Sequence, residues 1–312
     1  MLLKRPIGYR ARTQAARKLI LQKILLVAIL LTLLALIPAL YLNLRNRGGN
    51  ERRELRDFFE TGAFEVSHAK SREMLEEAPL DFFLLTLNGY SAYQLAVAQI
   101  NSYDTLSFLE ECIISLRQAM LLRNSPPELY YVLGKAYYHK GEAYADLAVY
   151  YLEKARDASF TASDIPEYLG LSYAALGDYR SSIEAFSSAL NASYDTSDVL
   201  LLSIAHSYMA LEDYEASRDY LARSINVSRD SKIITTSRLL LAGILYEAGE
   251  FSSAEEEYNN ILGESGENAE AYFMLGEIYL AQGETTRARA EWRRAIRTDA
   301  AYRPARARLN LQ

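Results

Sequence analysis

The sequence predicts an all-α chain: a solenoid of helical hairpins preceded by a single N-terminal transmembrane helix. Three observations carry this prediction. A run of 21 residues, Ile24 to Leu44, holds no charge. Beyond it, small residues recur at near-constant intervals, each with a turn position seven residues on. Seven prolines and fifteen glycines in 312 residues are few for a mostly β protein.

The first fifty residues read as a membrane anchor. Lys4, Arg5, Arg10, Arg12, Arg17, Lys18 and Lys23 precede the apolar run, and residues 1–23 contain no acid. As a helix, residues 24–44 span about 31 Å, the thickness of a bilayer core. A cleavable signal peptide has a shorter apolar stretch, roughly 7–15 residues, and ends in a small-residue cleavage site. Here the far end reads Ile37-Pro38-Ala39-Leu40, so the run is an uncleaved signal anchor. Arg45, Arg47, Arg52 and Arg53 follow the span, diluted by Glu51 and Glu54. The positive-inside tendency therefore puts the N-terminus in the cytoplasm and the rest outside. In a Gram-negative-type bacterium this is an inner-membrane protein with a periplasmic body. Residues 45–50, with Gly48-Gly49-Asn50, read as a linker.

Residues 272–296 form the best-defined unit of the body. Tyr272, Leu275, Gly276 and Tyr279 share one helix face, Gly283 marks a turn, and Ala288, Trp292 and Ala295 share a face of a second helix. Gly276 and Ala288 let two backbones approach, and the aromatic rings fill the space beside them. This order resembles the tetratricopeptide repeat, with an aromatic, Leu-Gly, Tyr, Gly, Ala and a second aromatic in sequence. Ala300 stands where that pattern has its final proline.

Working back from Gly276, the equivalent small position falls at Ala242, Ala205, Gly170 and Gly134, at intervals of 34, 37, 35 and 36 residues. The turn positions are Gly283, Gly249, Glu212, Gly177 and Gly141. About five repeats therefore occupy residues 127–302, and the resemblance implies a right-handed helical-hairpin solenoid. The unit at 127–162 has two extra residues after Gly141. Residues 51–126 form a degenerate repeat-like region. There Gly62, Phe64 and Pro79 hold turn, aromatic and final-proline spacing, a first helix runs from Phe82 to Ile100, and residues 101–104 turn. Residues 303–312 are a short C-terminal cap.

Composition and motif content exclude several functions. Cys112 is the sole cysteine, which rules out an internal disulfide framework and a multi-cysteine zinc site. His68, His139 and His206 are scattered, and neither a nucleophile elbow nor a phosphate-cradling loop is present. The reading is therefore of a protein that is not an enzyme and has no cofactor. Residues 54–286 carry 15 Lys/Arg against 37 Asp/Glu, whereas the chain from Arg287 carries eight Arg against Glu291 and Asp299. An acidic body argues against nucleic acid, since duplex binding depends on neutralising phosphates.

The resemblance implies a concave groove lined by the first helix of each pair. Its groove positions read Tyr131, Lys135, Tyr138 and His139; Glu167 and Leu171; Leu202, His206 and Met209; Leu239, Gly243 and Tyr246; and Phe273, Glu277 and Leu280. Peptide-binding members hold a carboxyl terminus with Lys, Arg and Asn, but only Lys135 is present here. An aromatic and aliphatic groove with acidic punctuation instead suits an apolar or basic segment of another protein. Arg287, Arg289, Arg293, Arg294, Arg297, Arg303, Arg306 and Arg308 form a basic C-terminal surface that could dock on the acidic body of another copy, a route to self-association.

Three expectations follow. The first is a membrane-tethered scaffold that assembles an envelope-associated complex. The second is a chaperone-like receptor for exported or translocating chains. The third is a structural subunit of a larger membrane machine. The order of anchor then solenoid is similar to that of spirochaetal periplasmic flagellar motor (collar) proteins.

Overall fold

The computed structural model describes residues 49–98, 102–123, 125–192, 197–265 and 267–309. The expected basic leader and transmembrane span lie outside the described residues. No helix among those described is long and apolar enough to cross a membrane.

The described chain is helical, with no strand. A helix over residues 49–60 (α1) is followed by α2 (Phe64–Glu77), α3 (Phe82–Ala98), α4 (Ser102–Leu122), α5 (Pro127–Lys140) and α6 (Ala145–Asp157). Then come α7 (Ile165–Ala175), α8 (Tyr179–Ala192), α9 (Asp198–Ala210), α10 (Tyr214–Val227), α11 (Ser231–Glu247) and α12 (Phe251–Ser265). The chain closes with α13 (Ala269–Ala281), α14 (Thr285–Thr298) and the short α15 (Arg303–Arg308). Each odd-numbered helix up to α13 pairs with the even-numbered one after it. First helices also touch one another, α3 with α5, α5 with α7 and α9 with α11, and so form one layer. This sequential stacking is what a repeat solenoid requires.

Two complementary devices set each hairpin. At the crossing, a small residue on the first helix faces a large one on the second. A Cβ on Gly276 would lie 2.4 Å from Trp292 Nε1 and 3.0 Å from the Ala288 carbonyl, so only glycine fits there. At the turn, the chain passes through a left-handed residue and the next amide donates to the carbonyl five residues back. Glu284 N reaches the Tyr279 carbonyl at 2.7 Å, and Asp178, Asp213 and Glu250 make the same bond to Tyr173, Tyr208 and Leu245. These are Schellman turns. Glu212 occupies the left-handed position at φ 61°, where the other turns have glycine. The extra residues after Gly141 become a 3-10 turn, Glu142–Tyr144, and α6 still sets Ala148 fully buried in the crossing.

The region before residue 127 departs from the sequence reading at two boundaries. Gly49 and Asn50, read as linker, already belong to α1, which continues into the strong helix formers Glu51-Arg52-Arg53-Glu54. Ser102, Tyr103 and Asp104, read as turn, open α4, where the Asp104 carboxylate complements the helix N-terminus. Otherwise this region repeats the same architecture. A Cβ on Gly89 would meet Leu116 at 2.6 Å, so the α3–α4 crossing has the small-against-large geometry of the later hairpins.

A buried polar network joins α2, α3 and α4. Ser71 donates to Asn88 at 3.0 Å, Asn88 donates to Ser115 at 3.0 Å and to Glu111 at 3.2 Å, and His68 Nε2 lies 3.1 Å from Glu111. The close approach of the His68 imidazole, above all, holds the Glu111 carboxyl below the usual carboxylate range.

Candidate functional site

The groove-facing positions of the first helices fall into three groups with different surroundings. In the first, α5 and α7 build an aromatic box around a lysine. Lys135 Nζ donates to Asp164 at 2.7 Å and to the Tyr131 hydroxyl at 3.0 Å. It also sits over the rings of Tyr168 at 4.6 Å, Tyr131 at 4.9 Å and Tyr93 at 5.8 Å. Tyr131 donates its own hydroxyl to Asp164 at 2.8 Å. Burial pulls the Lys135 ammonium down, but the hydrogen bonds to Asp164 and Tyr131 outweigh it and its pKa is raised. Tyr138 and His139 close the box against Tyr168, at ring distances of 5.0 and 5.8 Å. Burial and the Lys135 charge lower the His139 pKa. Asp164 precedes α7 but makes no cap to it, because its carboxylate is turned to Lys135. The positive charge at this point of the groove is therefore already neutralised within the chain.

The second group lies around α11. A cleft of about 1090 Å³ opens there, with Met209, Leu239, Gly243, Ile244 and Met274 among its lining residues. A Cβ on Gly243 would meet nothing within 4 Å, so the α11 backbone faces open space. Glu215, Glu247 and Glu270 also line the cleft, are exposed, and make no ion pair among the described residues. Arg218 lines the cleft as well but is held by Glu250, at 2.7 and 3.0 Å. The result is an apolar floor under an acidic rim.

The third group is covered by the chain itself. Phe273 and Glu277, expected to face a ligand, instead meet the C-terminal segment. Tyr302 packs on Phe273 with ring centroids 5.7 Å apart, and Arg308 Nε donates to Glu277 at 2.9 Å. The reason is geometric: α15 packs back on α14 with its own Ala305 fully buried, and this brings Tyr302 and Arg308 to α13. Arg308 therefore does not belong to a free basic surface, and the Glu277 bonds raise its pKa.

The remaining groove positions are spread between these groups. Leu171, Leu202 and Leu280 are half-buried against neighbouring core clusters. Tyr246 packs on Phe251 at 5.7 Å, Glu167 is half-buried on α7, and His206 is exposed on α9. Of the C-terminal arginines, Arg287 pairs with Glu284 at 2.7 Å and Arg294 with Glu291 at 2.8 Å. Arg306 donates to the Ala300 carbonyl at 3.1 Å. Arg289, Arg293, Arg297 and Arg303 are exposed and make no ion pair among the described residues.

Sequence reasoning missed Asp164, Glu247, Glu270 and Met274. A usable signal existed. Lys135 and Asp164 are 29 residues apart, Glu277 and Arg308 are 31 apart, and Arg218 and Glu250 are 32 apart. Opposite charges separated by nearly one repeat mark contacts between neighbouring hairpins.

Comparison with known proteins agrees with this geometry. Tetratricopeptide-repeat models match residues 200–231 and 245–309. Those two segments carry tetratricopeptide repeats. None of the curated proteins matches the chain. Among solved structures, the C-terminal part of a TPR repeat-containing protein from Cytophaga hutchinsonii is similar with a TM-score of 0.62 at 13% identity, covering 81% of this chain and 97% of that one. YrrB, described as a TPR protein with an unusual peptide-binding site, gives 0.50 at 17% identity, covering 63% of this chain and 98% of its own. Pseudomonas aeruginosa PilF gives 0.50 at 15% identity, over 71% and 96%. At these identities the likeness is one of fold. Tetratricopeptide-repeat proteins mediate protein–protein interactions, and the fold is typically a non-enzymatic scaffold.

Proposed function

We propose that this protein is a membrane-anchored scaffold that holds a basic, apolar segment of a partner protein in the cleft around α11. The observation that carries the reading is the set of three carboxylates, Glu215, Glu247 and Glu270, which stand above an apolar floor and make no ion pair among the described residues. An amphipathic helix laid in such a groove buries its apolar face and places Lys or Arg against the rim. The anchor supplies the remainder: the uncharged run from Ile24 to Leu44 tethers the solenoid at the inner membrane, with its body in the periplasm. Tethering raises the effective concentration of a partner in the same membrane, so the groove need not bind tightly. Assembly of an envelope-associated complex, with a flagellar collar as one form, follows from this order of anchor and solenoid.

The test uses the full chain in detergent micelles and a labelled amphipathic peptide with leucines on one face and arginines on the other. Saturable binding is expected, weakened at least about tenfold by Glu247→Lys combined with Glu270→Lys. Equal binding by the double variant would refute the groove reading. In intact cells with a permeabilised outer membrane, added protease should degrade everything beyond residue 45; full protection would refute the topology.

A further inference from the structure

We infer that the outer face of α14 is a second docking surface, which takes an acidic amphipathic helix of a partner protein at the seam where a following repeat would pack. The inference rests on register within the solenoid and is independent of the groove. The second helices align on their small crossing residues, Ala148, Ser182, Ser217, Ala254 and Ala288. One position on, Arg218 binds Glu250 of the next hairpin at 2.7 Å, and Glu255 accepts from Tyr279 of the next hairpin at 2.5 Å. Five positions on, Glu153 accepts from Tyr173 of the next hairpin at 2.7 Å. Eight positions on, Leu190, Ile225 and Leu262 are half-buried in the apolar clusters of the seams. These registers are the ones through which one repeat grips the next.

On α14 the same registers hold Arg289, Arg293 and Ile296, with Arg297 one turn beyond Arg293. Glu153, Arg218 and Glu255 are half-buried by the hairpin they contact, whereas Arg289, Arg293 and Arg297 are exposed and unpaired among the described residues. The short α15 covers Glu277 but leaves a cleft of about 640 Å³ lined by these arginines, Ile296 and Leu309. Three guanidinium groups at four-residue spacing, beside an apolar strip, complement a helix with carboxylates at the same spacing and leucines next to them. Such Arg–carboxylate pairs can be bidentate, and they strengthen as the apolar strip excludes water.

A second copy of this chain is the poorer match. The first described helix, α1, carries Arg52, Arg53 and Arg56 among its acids, and those acids recur every third residue, which winds them around the helix. Glu54 is also already paired with Lys70 at 2.8 Å.

The probe is a fluorescein-labelled helical peptide with glutamate at every fourth position on one face and leucines beside it, titrated against the full chain in detergent micelles. Saturable binding is expected, weakened at least about tenfold by Arg293→Glu and again by Arg289→Glu. Helicity and melting temperature should be unchanged, because both side chains are exposed. A peptide with arginines in place of the glutamates should bind the reversed variant and restore the affinity. Lys substitutions at Glu247 and Glu270 should leave acidic-peptide binding intact, which separates this outcome from that of the groove. Three results would overturn the inference: no binding, equal binding of a scrambled peptide of the same composition, or stronger binding to phosphatidylglycerol vesicles than to the peptide. Arginine-dependent self-association in sedimentation would replace the partner helix with a second copy and overturn it as well.

Discussion

The groove around α5 and the groove around α11 occupy equivalent places in two different repeats, yet their charges have opposite fates. At α5 the polar side chains find each other: Lys135, Tyr131 and Asp164 close a circuit inside a ring of tyrosines. At α11 the cation that lines the cleft among the described residues, Arg218, is held by Glu250, and Glu215, Glu247 and Glu270 keep their carboxylates out of any ion pair there. Repeat register decides which side chains face the groove. Partners supplied by the neighbouring hairpin decide which of them remain available. The aromatic box is thus a structural joint, and the acidic cleft is the receptive surface.

The strongest way to break this comparison is to remove the packing beneath one half. Trp292→Ala empties the α13–α14 crossing opposite Gly276 and should cost about 3–5 kcal/mol. Because stability in a solenoid passes between neighbours, the loss should be local. Hydrogen exchange should accelerate over α11–α15 and remain slow over α3–α6; uniform acceleration would show a single cooperative unit.

The next effect contrasts the two carboxylates directly. Asp164→Ala leaves Lys135 in a largely covered site without its counter-ion and should cost about 2 kcal/mol in denaturant unfolding. Glu270→Ala removes an exposed, unpaired carboxylate and should stay within about 0.5 kcal/mol of wild type. Equal costs would erase the distinction between joint and receptive surface.

The smallest effect tests the turns that hold both halves in register. Glu212 is left-handed where the turns inside the neighbouring hairpins have Gly177, Gly249 and Gly283. Glu212→Gly should therefore stabilise the middle repeats by about 1 kcal/mol, seen as a higher urea midpoint with unchanged slope.

The fold was largely legible because its two devices are local. Small-against-large crossings and left-handed turns lie within one hairpin, so Gly276, Trp292 and Gly283 announce themselves at fixed spacing. The groove was legible only as a set of positions. Whether Glu277 or Glu270 is free depends on where α15 returns and where Arg308 reaches, and that is set by lateral packing between elements about a repeat apart. Tyr93 and Asp164 lay outside the groove frame altogether, although both complete the box around Lys135.

The 3-10 turn at Glu142–Tyr144 has a consequence for how such an array can lengthen. Two surplus residues at that edge are absorbed in the turn, and α6 still presents Ala148 and Leu152 to the crossing, both fully buried. One surplus residue inside α5 would instead rotate everything after it by about 100° and turn Lys135 or His139 away from the groove. Insertions and deletions are therefore tolerated at the turn edges and selected against within the helices, so related chains should differ in length at positions such as Gly141 while keeping every crossing in phase.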